Sequence, residues 1–249
     1  MMRSLYIFLN NSILTHSPNN QDLPRDIITS LMINKSCLFL HGLESGPNGS
    51  KAVYLKKIFD RVNAPHLQTG VLGFRSNTFM MSGLRNISSL FFGSYTADIT
   101  ADVLRGGSEI ALSAAVAYPP DIVVASSMGG AIALQSLQSG KISAPTILLA
   151  PALGRLLTPE NMDEWCKSFI SRESHGDHPM IVVHSVMDDV IDIEHSRELC
   201  RRIGAELIEV VDGDHSLNDY LLDGVSKVDG SPQGNHLLQV INRILKQDS

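Results

Sequence analysis

Positive charge is scarce in this sequence. Lys and Arg number 20 against 26 Asp and Glu, which leaves a formal net charge of -6. A surface that tracks nucleic-acid phosphates needs the opposite sign, so nucleic acid is not an expected partner. Cysteine is equally sparse. Cys37, Cys166 and Cys200 cannot all pair and lie far apart in the chain, so they read as reduced thiols of a cytosol-like compartment. No apolar run approaches the roughly 20 residues of a transmembrane helix. Gly and Pro are not enriched and no internal repeat is visible, which excludes collagen-like, low-complexity and solenoid classes. With 43% apolar and 18% charged residues over 249 positions, what is left is a globular chain. A chain of this length hides roughly 70–75% of its unfolded surface, as one large domain or two small ones.

The N-terminus stands apart. Met1 to Leu14 carries Arg3 and a short apolar stretch, Leu5 to Leu9, as a secretory leader does. Asn10, Asn11 and Ser12 interrupt the run, no small-residue cleavage site follows, and the segment is not read as a leader. Thr15 to Arg25 is polar and rich in Asn, Pro and Ser, the composition of a loop. Residues 1–31 are therefore expected to form a peripheral arm, with a single domain over 32–249.

From Met32 onward, short apolar runs alternate with helical patterns. Cys37–Leu40, Ile122–Ala125, Thr146–Ala150, Ile181–His184 and Glu206–Val211 have the near-continuous apolar character of buried parallel strands. Helices are expected from about Ser50, which could cap the first, and over Met128–Leu137, about Glu160–Ile170, Glu194–Ile203 and Asn235–Lys246. This alternation predicts an α/β fold, a mostly parallel central sheet with helices on both faces in a three-layer sandwich.

The strongest chemical signal lies at residues 122–134. An apolar strand runs into Ala125-Ser126-Ser127-Met128-Gly129 and then into a helix. This is the form of a nucleophile elbow, where a serine sits on a strained turn at the C-terminal end of a strand. Strand and helix then pass so closely that the positions two before and two after the serine must be small. Ala125 and Gly129 satisfy this for Ser127, whereas Ser126 would have Met128 at its +2 position. A tight strand-to-helix turn without catalysis would leave the same short pattern.

At these residues the chain resembles the α/β-hydrolase superfamily, and three further segments stand in that superfamily's order. His41-Gly42-Leu43 follows the first strand, where the family's oxyanion loop lies. The resemblance implies one backbone N–H donor from Leu43 and a second from Met128, with His41, Gly42 and Gly129 as the supporting loop and close contacts. His184-Ser185-Val186-Met187-Asp188 matches the family's acid turn, with Ser185 where glycine is usual and Asp188 at the acid position. Asp212-Gly213-Asp214-His215 supplies the histidine. The order Ser127, Asp188, His215 is the superfamily's own, with successive members 61 and 27 positions apart. The resemblance runs from about Cys37 to the C-terminus and implies a serine hydrolase that needs neither metal nor organic cofactor.

Each member has a rival. Asp189 adjoins Asp188 and could replace it as the acid. His184 reads as a packed or hydrogen-bonded histidine, His195 as a surface residue of the following helix, and His41 as an orienting residue of its loop. His175 and His178 near Asp177 superficially suggest a metal site, but no second ligand cluster stands at a recognisable spacing. Gly42 to Lys51 mimics a phosphate loop but ends Gly49-Ser50-Lys51, which misplaces the lysine.

Substrate class is read from two variable segments. Pro151 to Met180 is too short for a large cap domain and holds one helix carrying Trp165. Phe74 to Gly107 is an insertion rich in apolar residues, among them Phe79, Met80, Met81, Phe91 and Phe92. Core packing explains such residues, and so does an apolar wall of an acyl pocket. The second reading favours a carboxylesterase or thioesterase acting on a small to medium acyl ester or thioester in the cytoplasm. An amidase or peptidase on the same triad, and a non-catalytic binding protein on this fold, are the alternatives.

Overall fold

The computed structural model describes residues 33–43, 45–67, 97–157, 161–171, 179–222 and 236–247. The expected arm at 1–31, the cluster His175, Asp177 and His178, and positions 74–96 of the apolar insertion lie outside them. The elements in chain order are β1 (Ile33–Leu40), α1 (Ser50–Ile58), β2 (Phe59–Asn63), α2 (Ala97–Ala117), β3 (Ile122–Ser126), α3 (Met128–Gln138), β4 (Thr146–Leu149), a short 3-10 turn (Leu153–Arg155), α4 (Met162–Ile170), β5 (Met180–Ser185), α5 (Ile193–Ile203), β6 (Glu206–Val210), α6 (Asn218–Leu221) and α7 (His236–Gln247).

The six strands form one sheet in the order β2-β1-β3-β4-β5-β6. The ladders joining β1, β3, β4, β5 and β6 are parallel, with Leu40 opposite Ala125, Ser126 opposite Leu149 and Val183 opposite Ile208. This is the predicted α/β class, with helices covering both faces of the sheet. Burial follows position in the sheet. Every residue of β3 and β4 is buried, whereas the edge strand β6 is only partly buried. Central parallel strands are covered on both faces, so they cannot alternate polar and apolar residues.

The helices pack on this frame by their apolar stripes. α3 lies against β3, α5 against β5 and β6, and α7 against β4 and β5. In α7 the buried Leu237, Val240, Ile241 and Ile244 recur at helical spacing. Asp192 caps α5 by accepting the Glu194 N–H at 2.9 Å, and Gly204 ends it at a φ of 73°. Both are the residue types that unsatisfied helix ends favour.

Three expectations change in detail. Ser50 is the first residue of α1 and not its cap; Gly49 holds that place, its carbonyl accepting the Val53 N–H. β4 ends at Leu149, because Ala150 turns to a φ of 44° while its N–H still donates to Val183. The last part of the apolar insertion, from Ala97, opens the 21-residue helix α2. Leu104 there is buried in the core, and Gly107 lies so close to Ile132 on α3 that a Cβ would come within 3.0 Å of its Cγ1. Between β4 and β5 the described residues hold only the 3-10 turn and α4, with Trp165 stacked on Phe169 at 4.9 Å.

Candidate active site

Ser127 stands between β3 and α3, at the C-terminal end of a central strand. Its φ of 53° and ψ of -120° are an unfavourable combination for a residue with a Cβ. The surroundings enforce it. The Ser127 N–H donates to Leu149 O at 2.9 Å, and its carbonyl accepts from Gly130 N–H and Ala152 N–H. The crossing is as tight as the sequence predicts. A Cβ on Gly129 would come within 2.7 Å of His41 O and closer still to Leu40 O, both backbone atoms. Ala125, two residues before Ser127, is fully buried. Ser126 belongs to β3, paired with Leu149, and is buried.

Asp188 and His215 meet Ser127 from the loops that follow β5 and β6. His215 Nε2 lies 3.0 Å from Ser127 Oγ, and His215 Nδ1 lies 2.7 Å from Asp188 Oδ2. Asp188 Oδ1 accepts two backbone N–H bonds, from Val190 and Ile191, each at 2.9 Å. Burial works to raise the Asp188 carboxyl. Hydrogen bonds from His184, His215 and the Ile191 N–H outweigh it and hold the group well below the usual carboxylate range. Asp189 is exposed on the same turn. The geometry therefore joins Ser127, His215 and Asp188 in one chain of hydrogen bonds and leaves the rival acid outside it.

The loop after β1 closes the site on another side. Gly42 lies against the serine, so that a Cβ there would stand 3.1 Å from Ser127 Cβ. His41 is buried; its Nδ1 lies 2.8 Å from Gly42 O, and its Nε2 lies 3.2 Å from Leu67 N. With the Nδ1 proton donated to Gly42 O, Nε2 accepts the Leu67 N–H, and one tautomer serves both bonds. Burial lowers the His41 pKa, which favours this neutral ring. Leu43 follows, partly buried against the core. Met128 is the first residue of α3, where a backbone N–H has no partner within the helix.

The sequence reading misses the contacts of three residues. Ser185, in place of the expected glycine, donates its hydroxyl to Gly213 O at 2.5 Å and accepts the Met187 N–H at 3.0 Å. It thereby ties the acid turn to the histidine loop. Lys51 on α1 donates to Ser216 O at 2.6 Å, beside His215. His184, read only as a packed or hydrogen-bonded residue, lies 3.1 Å from Asp188 Oδ2. His195 is half-buried on α5, packed against Gly154 and away from this chain of bonds. No group of three or more potential metal ligands occurs among the described residues.

No protein-family model matches the sequence, and no curated protein does. Solved structures do. Alpha/beta hydrolase domain-containing protein 10 from mouse superposes with a TM-score of 0.51 at 17% identity, over 86% of this chain and 90% of that one. The ydeN gene product from B. subtilis gives a TM-score of 0.48 at 17% identity, over 86% and 100% of the two chains. MGS-MChE2, an alpha/beta hydrolase enzyme from a lagoon-sediment metagenome, gives 0.47 at 15% identity, over 87% and 92%. The likeness to the mouse protein, together with the sheet order and the elbow, shows that this chain has the α/β-hydrolase fold.

Proposed function

We propose that the protein is a serine hydrolase that cleaves a carboxylic ester or thioester of a small to medium acyl substrate through an acyl-enzyme. One observation carries this reading: Ser127 Oγ, His215 and Asp188 form a continuous chain of bonds of 3.0 and 2.7 Å at the end of a strand that holds the serine in a strained turn. A serine hydroxyl is a weak nucleophile and needs an adjacent base. His215 Nε2 takes the Ser127 proton as Oγ attacks the carbonyl carbon. The proton then passes to the departing alkoxide or thiolate. Water attacks the acyl-enzyme with the same histidine as base, releasing the acid and restoring Ser127. Asp188 keeps the His215 proton on Nδ1 and stabilises the cation that forms in each half-reaction.

The charge that builds on the carbonyl oxygen is met by the N–H groups of Leu43 and Met128. The tight approach of Gly42 to Ser127 and the position of Met128 at a helix start support this pair. The reaction as written needs no metal or organic cofactor. The three buried free thiols, Cys37, Cys166 and Cys200, support a reducing, cytoplasmic setting.

A panel of aryl esters and acyl thioesters from acetyl to octanoyl tests the proposal. Hydrolysis should peak at a short or medium chain and fall by roughly 10⁴–10⁶-fold in kcat in Ser127→Ala. Ser126→Ala should retain most of the activity. Turnover that survives in Ser127→Ala and is lost in Ser126→Ala would overturn the assignment, and a flat chain-length profile would remove the shaped acyl pocket.

A further inference from the structure

His184 is the last residue but one of β5, four residues before Asp188, and its side chain is wholly buried. Its ring makes three polar contacts. Nε2 lies 3.1 Å from Asp188 Oδ2 and 3.2 Å from Ile191 O, while Nδ1 lies 2.7 Å from Ser196 Oγ on α5. A carbonyl and a carboxylate can only accept, so Nε2 must carry the proton. In the neutral ring Nδ1 is then the acceptor, and the Ser196 hydroxyl donates to it. Ser196 is itself fully buried on the inner face of α5.

Asp188 Oδ2 thus sits between two imidazoles, with His215 Nδ1 at 2.7 Å and His184 Nε2 at 3.1 Å. Its other oxygen is held by the two backbone donors of its own turn. A buried carboxylate held on one oxygen alone could turn Oδ2 away from His215. The His184 bond removes that freedom and adds a second donor to the charge. Burial alone would raise the Asp188 pKa, and the His184 bond is first among the contacts that lower it.

Resting on the hydrolase reading above, we propose that His184, set in its Nε2–H tautomer by Ser196, is a positioning residue that holds Asp188 Oδ2 on His215 Nδ1. It touches no reacting atom, and it makes α5 part of the site through a relay running Ser196, His184, Asp188, His215, Ser127.

Three variants and one spectrum test this on the full-length chain. Long-range proton–nitrogen NMR at neutral pH should show His184 in its Nε2–H tautomer in the wild type. His184→Leu keeps the bulk and loses the donor; kcat on an aryl acetate should fall roughly 10- to 100-fold, the range for one hydrogen bond to a charged group, with KM nearly unchanged. His184→Gln can place an amide N–H near the same point and should recover most of that loss. Ser196→Ala should give mixed His184 tautomers and an intermediate kcat. A folded His184→Leu with wild-type kcat, or equal impairment in Leu and Gln variants, would overturn the proposal in favour of simple packing. Should His184→Leu fail to fold, the wild-type spectrum and Ser196→Ala decide: an Nδ1–H tautomer, or an unchanged kcat in Ser196→Ala, overturns it. Failure of the hydrolase reading looks different, because the wild type would then turn over no ester at all while the tautomer could still be read.

Discussion

Ser127 carries two burdens at once. It is held at a φ of 53° and a ψ of -120°, a sparsely populated combination that costs a residue with a Cβ of order 1–3 kcal/mol, and it must present its hydroxyl to His215. Glycine relieves the first and abolishes the second. Ser127→Gly should therefore lose activity while raising Tm by roughly 2–8 °C, for about 1–2 kcal/mol left once glycine's entropy cost of roughly 0.5–1 kcal/mol is subtracted, at about 2–4 °C per kcal/mol in a chain of this size. Ser127→Ala keeps the Cβ and should leave Tm near the wild-type value. Calorimetry of the two variants checks this, and a lower Tm for the glycine variant would contradict the strained elbow. The serine was legible because its neighbours are constrained by sterics, which leave a pattern of small residues in the sequence. Asp188 and His215 were legible because each follows a strand at the order the resemblance implies. His184 was legible only as a packed or hydrogen-bonded residue. Its partner Ser196 lies 12 residues on, in a helix whose placement no local pattern records.

Among the described glycines, Gly129 at the crossing of β1 and α3 leaves the least room for a side chain. A methyl group there meets the backbone of Leu40 and His41, which cannot rotate away as a side chain could. Overpacking costs roughly 1–3 kcal/mol where side chains can yield, and backbone contact places Gly129→Ala at the upper end or beyond. Thermal unfolding should show a Tm lower by roughly 6 °C or more, with activity lost to a displaced elbow even in the folded fraction. A Tm within 1–2 °C of wild type, about the effect of a neutral surface change, would show that α3 can slide away from β1. β2 and α2 escaped the sequence reading, each for its own reason. β2, Phe-Asp-Arg-Val-Asn, abuts α1 at Ile58 without a turn residue between them and is a short, partly exposed edge strand. α2 carries Gly106 and Gly107 in mid-helix, which weakens a helical pattern. Gly107 is there because Ile132 on α3 leaves no room for a side chain, a tertiary demand invisible from the helix alone.

Over the whole molecule, the sheet does the assembling. Ser127, Asp188 and His215 follow β3, β5 and β6, and the parallel ladders bring the C-terminal ends of these strands to the same edge. Residues 88 apart thereby meet at 3.0 Å. One tie comes from the other side of the sheet order, where Lys51 on α1 reaches Ser216 O, 165 residues away. Burial draws its ammonium group down from 10.5 to about 8, against the opposing pull of the Asp214 charge. Between those two values the unfolded chain holds a proton that the folded chain has released, so this residue's contribution to stability rises with pH across the window. The stability of the wild type relative to Lys51→Met should accordingly increase from pH 8 to 10.5. Denaturation at a series of pH values checks this, and a constant or shrinking difference would show that Lys51 is not held in a desolvated site. The central claim, that this sheet arms Ser127 as a nucleophile, is tested most directly by peptide mapping after reaction with a fluorophosphonate. One covalent adduct on Ser127, formed equally in Ser126→Ala and absent from Ser127→Ala, is the predicted result. No adduct on the folded wild-type protein, or an adduct that persists in Ser127→Ala, would contradict it.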